Sequence, residues 1–357
     1  MPARSISPSR SRPEHRSRSG RRSHVGRRSH VGRRSRLDPR PRMAAALLAG
    51  TLLALALAGP GCASSAPGRS LALPRPERLP TSAASHLIVV VMENKEYGEV
   101  IGRPSARYVN RLARRGALAT SSFAVSHPSL PNYLALTGGS TFGIASDCTD
   151  CSVSGPSLVD QLSGAHIPWK AYMGDLPHPC FGGAFSRGYA KKHDPFAYYR
   201  RIVGDPARCR RIVSFDALAA DLRAGTLPTF SWISPNQCDD MHDCSVATGD
   251  RFLARLVPSL LHELGPHGLL ILTWDEGSTD RGCCGAGGGG HVPTILAGPA
   301  ARAGTRSAQP VNHYSVLATV EDALGLARLG QAGCRCTPSL ATLLRGPVRI
   351  RPLFGRR

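Results

Sequence analysis

Two adjacent carboxylates, Asp275 and Glu276, close the apolar run Leu269-Leu270-Ile271-Leu272-Thr273-Trp274 and are followed by Gly277. A run of that kind is too short for a membrane span and carries no helical stripe, so it reads as a strand buried on both faces. In open α/β sheets, ligands bind in the crevice outside the carboxyl ends of the strands. Paired carboxylates placed there are costly unless something positive sits between them, and a metal ion is the usual answer. The bland alternative is a strand that runs into an acidic surface turn. A second apolar run, His86 to Met92, also ends in polar groups, Glu93-Asn94. Ser129 stands in the stretch Ser126-His127-Pro128-Ser129-Leu130-Pro131-Asn132. Pro131 suits the first turn of a helix and Gly138-Gly139 its end, which puts Ser129 at or just before a helix N-terminus. Free N–H groups and the positive end of the helix dipole there favour a bound anion and a developing alkoxide. Taken alone, Ser129 would read as an ordinary N-cap.

The elements that must position these groups follow from periodicity. Helical patterns fall at 105–115, from Pro131 to Gly138, at 157–163, 215–224, 249–264 and 313–324. Strand patterns fall at 86–92, 118–125, 167–173, 229–233, 269–274 and 292–297. Strands alternating with helices predict an α/β fold, a mostly parallel central sheet with helices on both faces in a three-layer sandwich. Four strands then end in polar clusters: Glu93-Asn94, the turn with His127 and Ser129, the loop with Asp240 and His242, and Asp275-Glu276. His291 precedes a fifth. Strand ends on one edge of a parallel sheet are neighbours in space. Carboxylates, an amide and a hydroxyl form a hard-oxygen set suited to Mg, Ca or Mn, or to Zn once histidines join. Such a metal would lower the pKa of Ser129 and neutralise a phosphate, as phosphoryl transfer requires. Histidines nearby could bind phosphate oxygens or protonate a leaving alcohol.

At these residues the chain resembles a known group. Met92-Glu93-Asn94, His127-Pro128-Ser129-Leu130-Pro131-Asn132-Tyr133, Asp240-Met241-His242, Thr273-Trp274-Asp275-Glu276-Gly277 and Gly290-His291-Val292-Pro293 look like motifs of the phosphoesterase family of bacterial acid phosphatases and non-specific phospholipases C. That family belongs to the alkaline-phosphatase-like superfamily. The likeness covers roughly residues 85 to 326, with the five motifs in the family's order. It implies a metal held by Glu93, Asn94, Asp275 and Glu276, and Ser129 as the phosphate-accepting nucleophile. His127 and His242 match positions that contact phosphate or assist the leaving group. Asn132 falls in the family's (Ser/Thr)-x-Pro-Asn turn and, with Asp240, is expected at the substrate. His291 matches a histidine that can bind a second metal. Two departures stand out. Acid phosphatases of the family often carry Asp-Asp where this chain has Asp275-Glu276, and the chain lacks room for the C-terminal lipid-associated domains of the phospholipases. The second makes a small phosphomonoester the expected substrate.

Each histidine has a plainer reading: His127 as a loop hydrogen-bonder, His242 as a surface residue beside Asp243, His313 as a cap of the last helix. Asp239 and Asp243 read as solvated companions, and His178, His193, His262 and His267 receive no role.

Charge and cysteines set the setting. Of the net charge of +21, the first 42 residues supply +12, from 14 arginines against Glu14 and Asp38. This arm repeats Gly-Arg-Arg-Ser-His-Val between Gly20 and Ser35 and has nothing with which to build a core. A nucleic-acid tail is its functional alternative. The next segment argues against nucleic acid as a partner, because residues 43–62 carry an apolar stretch after Arg40 and Arg42, then Gly59-Pro60-Gly61-Cys62, as an export signal does. Cys62 sits where a bacterial lipoprotein would carry its lipid, which leaves membrane anchoring open beside secretion. Met43 is an alternative start that would remove the arm. Residues 63–84 read as a linker, 85–345 as one domain and 346–357 as a basic tail. Beyond Cys62 the ten cysteines favour disulfides in an exported chain, with connectivity open; zinc on Cys148-x-x-Cys151 and a second pair is the rival.

The function expected is that of an exported, metal-dependent phosphoesterase acting on phosphate monoesters through a phosphoserine. A phosphodiesterase or phospholipase C is the alternative within that chemistry. Outside it stands an inactive protein that binds phosphate or an envelope polymer.

Overall fold

The computed structural model describes residues 73–79 and 82–350. The arginine-rich arm, the segment read as an export signal with Cys62, most of the linker and residues 351–357 of the tail lie outside the described residues. The central sheet is built from β1 (Leu87–Met92), β2 (Ala117–Ala119), β3 (Trp169–Met173), β4 (Ile212–Ser214), β5 (Phe230–Ser234), β6 (Leu269–Trp274), β7 (Thr294–Ala297) and β8 (Arg306–Ser307). Their order across the sheet is β8-β2-β7-β6-β1-β5-β3-β4. The run β6-β1-β5-β3-β4 is parallel throughout, and β7 alone runs against both its neighbours. The sheet is therefore mostly parallel, as expected.

Both faces of the sheet are covered, which explains why β1 and β6 read as unbroken apolar runs. Leu87, Val89 and Val91 enter one core, with Leu130, Tyr133 and Leu134 of α2 (Ser129–Gly138), Leu158 of α3 (Leu158–Gly164) and Val316 of α6 (His313–Leu324). Ile88, Val90 and Met92 enter the other, with Leu112 of α1 (Arg107–Arg115), Leu218 of α4 (Phe215–Ala224) and Phe252, Leu256 and Leu260 of α5 (Val246–His262). Alternate side chains of one strand thus feed two separate cores, and the three-layer sandwich follows. The polar residues after β5, β1 and β6 emerge side by side, because Leu87 is level with both Phe230 and Leu269.

Boundaries shifted where local bonding outweighed pattern. The strand expected at 118–125 divides into β2 and Ser122–Phe123, whose partner is Val311–Asn312 in a separate two-stranded sheet. Helix α5 starts earlier than its apolar stripe, since the Ser245 side chain accepts the N–H of Thr248. The ten cysteines form five disulfides, Cys148–Cys151, Cys180–Cys209, Cys238–Cys244, Cys283–Cys284 and Cys334–Cys336. Cys148 and Cys151 are thus joined to each other, and the zinc rival loses its first pair.

One buried acid lies on α6, away from the strand ends. Glu321 accepts the N–H of Leu329 at 2.8 Å through one oxygen, while the other is buried without a partner. Burial pushes its carboxyl up to about 8, against the smaller opposing effects of the Leu329 N–H and Arg328. A carboxyl raised in the folded state favours folding only while protonated, so this contribution is lost as pH rises from the ordinary glutamate range through about 8. Glu321→Gln should therefore leave stability near pH 4 unchanged and raise it at pH 9, by about 1–3 kcal/mol. Denaturant melts of both proteins at the two pH values check this, and equal stability at pH 9 counts against it.

Candidate functional site

Four segments meet at the carboxyl edge of the parallel strands. Ser129 is the first residue of α2 and is fully buried, with its hydroxyl 3.2 Å from Glu93 Oε2 and 3.3 Å from Glu276 Oε1. Its turn is braced by Asn132. The Asn132 side-chain oxygen accepts the N–H groups of Val125 (2.9 Å) and Ser126 (3.1 Å), while its NH₂ donates to the carbonyls of Ser126 (2.7 Å) and Pro128 (3.1 Å). All four hydrogen-bonding capacities of the amide are thereby used. Asn132, expected at the substrate, is placed as the strut of the serine turn.

Glu93 follows β1 directly and is wholly buried. Tyr133, one helical step beyond the strut, donates its hydroxyl to Glu93 Oε1. The Glu93 amide donates to the Asp240 carbonyl at 2.9 Å, which ties the end of β1 to the loop after β5. Asp275, next after β6, accepts the Asn94 N–H at 3.0 Å on Oδ1 and has its Oδ2 buried without a partner. Asn94 sits at φ 53°, a left-handed conformation that asparagine tolerates better than most residues. Its side-chain oxygen is likewise buried and unpartnered. Asp240 accepts the amide N–H of His242 at 2.7 Å through Oδ1, and its Oδ2 lies 3.2 Å from Nδ1 of His193.

His193, given no role by the sequence, is the centrepiece of this arrangement. Its imidazole is buried between two carboxylates, Nδ1 toward Asp240 and Nε2 3.2 Å from Glu93 Oε2, and it stacks on Tyr133 with ring centroids 5.7 Å apart. Burial, then the neighbouring Lys192 charge, pushes it down to about 3. It reaches the site from the one-turn segment Lys191–His193, which has no periodicity for a sequence reading to detect. The usable signal was local: a histidine followed by Asp194-Pro195 and the aromatic run Phe196-Ala197-Tyr198-Tyr199 is unusual for a surface loop.

His127 and His242 flank the acids. His127 donates from Nε2 to the Thr279 carbonyl at 3.1 Å, so a single proton is shared between its Nδ1 and Glu276 Oε2. Burial lowers its pKa, but the bonds to Glu276 and Thr279 outweigh that and leave it raised. Burial, with the charge of Asp275, pushes Glu276 up to about 7. His242 Nε2 lies 3.1 Å from the Lys192 ammonium, which can only donate. The His242 proton therefore sits on Nδ1, 2.7 Å from Asp243 Oδ1, and Asp243 is a partner rather than a bystander.

His291 is not brought to the acids. It donates from Nε2 to the Thr120 carbonyl at 3.0 Å and its ring lies flat on Tyr97 at 4.4 Å, where it links the Gly290 turn to the Tyr97 segment and the end of β2. His313, read as a cap, is instead buried under β6, donating to the Asp275 carbonyl, with burial pushing it down to about 4.

The electrostatics of the cluster call for a cation. Burial raises Glu93, Asp240 and Asp275 alike, and the charges of Asp275 and Asp240 raise Glu93 further. Asn94 Oδ1, Asp240 Oδ2 and Asp275 Oδ2 are all buried oxygens without hydrogen-bond partners. Glu93, His193 and His242 each bring a donor atom within 4.8 Å of the others. Buried carboxyl and amide oxygens with an imidazole beside them are a donor set that fits a divalent metal ion.

The family model for the phosphoesterase family matches residues 103–327, a stretch that holds Ser129, Asn132, His193, Asp240, His242, Asp275 and Glu276. The chain belongs to the phosphoesterase family. It is 35% identical over 260 residues to the phosphatidylinositol-3-phosphatase of Mycobacterium tuberculosis, covering 71% of this chain and 81% of that one. It is 31% identical over 265 residues to an acid phosphatase of Aspergillus fumigatus, covering 71% of this chain and 57% of the fungal one. A phosphate-repressible acid phosphatase of Penicillium chrysogenum is 31% identical over 237 residues, with 63% and 56% covered. The chain thus spans little more than half the length of these fungal relatives. Among solved structures, a protein in the alkaline phosphatase superfamily from Vibrio parahaemolyticus aligns with a TM-score of 0.49 at 12% identity, over 71% of each chain.

Proposed function

We propose that this chain is an exported, metal-dependent phosphatase that hydrolyses phosphate monoesters through a phosphoserine at Ser129. The observation that carries the proposal is the buried Ser129 hydroxyl at the start of α2, held by Glu93 and Glu276 beside carboxyl and amide oxygens that have no partner. Glu93, Asn94 and Asp275 would hold the metal, with Asp240 and His193 beside them; Glu276, expected among the ligands, has its two oxygens engaged by Ser129 and His127. When bound, it supplies positive charge that favours the serine alkoxide and offsets the charge of the phosphoryl group.

The protein's own groups account for the serine proton. Glu276 Oε1 accepts the Ser129 proton as Oγ bonds to phosphorus and the ester oxygen leaves. Its other oxygen is already bonded to His127 Nδ1, so Glu276 is oriented for that task. The ester oxygen departs and takes a proton from solvent water to become the free alcohol, since the one proton of His242 is held on Nδ1 by Asp243. Water then attacks phosphorus and gives up one proton to solvent, replacing the one taken by the alcohol, as the P–Oγ bond breaks and the proton held by Glu276 returns to Ser129. The α2 N-terminus favours the anionic state throughout.

Export is supported by the basic and apolar export segment and by five disulfides, which persist in oxidising compartments. No described helix is long and apolar enough to cross a membrane. A free phosphomonoester is the expected substrate. The name of the mycobacterial relative adds a lipid-headgroup monoester to those worth assaying. The test is an assay of protein made under oxidising conditions, using a chromogenic monoester, its bis-ester, phosphatidylinositol 3-phosphate and lecithin, with chelator and with divalent metals restored. Turnover of a monoester that chelator stops and metal restores is the expected result. Preference for the bis-ester or lecithin would overturn the monoester assignment. Phosphate binding without turnover of any ester, whatever the metal, would favour the inactive binding protein.

A further inference from the structure

Lys192 occupies a position that the acid cluster alone does not explain. Its ammonium donates to Asp147 Oδ2 at 3.0 Å and to His242 Nε2 at 3.1 Å. Asp147 is also bound to the serine helix, because its Oδ1 accepts the N–H of Leu130 at 2.9 Å. Leu130 immediately follows Ser129, so one carboxylate fixes the ammonium relative to the serine hydroxyl. The arrangement is preorganised: Asp147 belongs to a loop closed by the Cys148–Cys151 disulfide. That loop is pinned separately by Lys191, whose ammonium donates to the Thr149 carbonyl at 2.7 Å.

A purely structural role would leave Lys192 redundant as a loop anchor, since Lys191 and the disulfide already hold the loop. Its one direct ion pair among the described residues is with Asp147, and the buried Glu93 and Asp275 feel its charge only from farther off. An ammonium has three N–H donors, and here two are used. Its side chain is 15% exposed, enough to meet a ligand and too little to be freely solvated. A cation with a spare donor, tied to the residue after a serine and in contact with a histidine, suits the peripheral oxygens of a phosphate.

We propose that Lys192 binds a phosphate oxygen of the substrate and of the phosphoserine, and that Asp147 is its positioning residue. This rests on the phosphatase reading of the same site. The experiment measures inorganic phosphate binding by calorimetry, together with KM and kcat for a chromogenic monoester, on the full purified chain. Lys192→Met should weaken inorganic phosphate binding by about 10- to 100-fold, the loss of a hydrogen bond from a charged donor, and raise KM in parallel. Lys192→Arg should recover most of that affinity, and Asp147→Asn should fall between. Should Lys192→Met fail to fold, Lys192→Gln, which keeps a donor and loses the charge, is read in the same way. A Met or Gln variant that melts lower yet binds phosphate as the parent does overturns the assignment and leaves a structural ion pair. If the parent hydrolyses no ester but its phosphate binding depends on Lys192, the phosphatase reading falls and the phosphate contact stands. If the parent neither hydrolyses nor binds phosphate, both fall.

Discussion

Ser129→Ala should lower kcat for a phosphomonoester by about 10³-fold or more, with a melting temperature close to that of the parent. The first expectation follows from what the hydroxyl would do. If it is the atom that bonds to phosphorus, its removal eliminates the covalent route, leaving only direct attack by water in a site that still binds the substrate. The second follows from its surroundings. The Ser129 hydroxyl donates to Glu93 and Glu276 at 3.2 and 3.3 Å, both long for an O–H donor, and its loss removes only a γ-oxygen from a well-packed helix start. The brace of the turn is Asn132, which the substitution leaves intact. Measuring kcat beside a thermal melt separates catalysis from folding. In the parent, an acid-quenched reaction should also show phosphate covalently on the peptide containing Ser129, absent from the variant. Turnover in the variant within tenfold of the parent removes the nucleophile assignment, whatever the metal dependence.

The fold was legible because its central strands are simple. Residues 87–92 and 269–274 are buried on both faces, so their sequences are continuous apolar runs whose ends mark one edge of the sheet. Reading the polar residue after each run located Glu93, Asn94, Asp275 and Glu276 together, and the structure brings them together with Ser129. The partners of those residues were harder to find. Tyr133 looks like an ordinary core aromatic on α2, yet its hydroxyl is spent on Glu93. His193 and Lys192 lie on a single 3₁₀ turn, without the periodicity that identifies a helix or strand. What gives them their positions is contact with Glu93, Asp240, Asp147 and His242, all remote in sequence. His291 shows the converse. A histidine after a glycine-rich loop and before a strand attracts a metal-binding reading, but a ring that can stack on Tyr97 while bonded to a backbone carbonyl satisfies the same sequence.

Metal removal and Asp275→Asn should have opposite effects on stability. Glu93, Asp240 and Asp275 lie buried within one cluster, and each carboxyl is raised by burial. Without a cation, such groups favour the folded state only while protonated, so the metal-free protein should lose stability as pH rises out of the acid range. A divalent cation that binds only the folded state reverses this, adding about 2.7 kcal/mol at a hundred times its dissociation constant. For a domain of this size, that corresponds to a rise of about 5–10 °C in the melting temperature. Asp275→Asn removes one buried charge while its new amide oxygen can still accept the Asn94 N–H that now meets Oδ1. The variant should therefore melt above the parent in chelator at pH 8, by about 1–3 kcal/mol of added stability, and respond little to added metal. Its turnover should be lost even at saturating metal. The crossed pattern distinguishes a cation site from a merely structural acid pair: if Asp275 were a packing residue, the variant would melt below the parent by the same amount in chelator and in metal. Thermal melts of both proteins, with chelator and with each divalent metal in turn, decide between the two and identify the preferred ion without requiring activity.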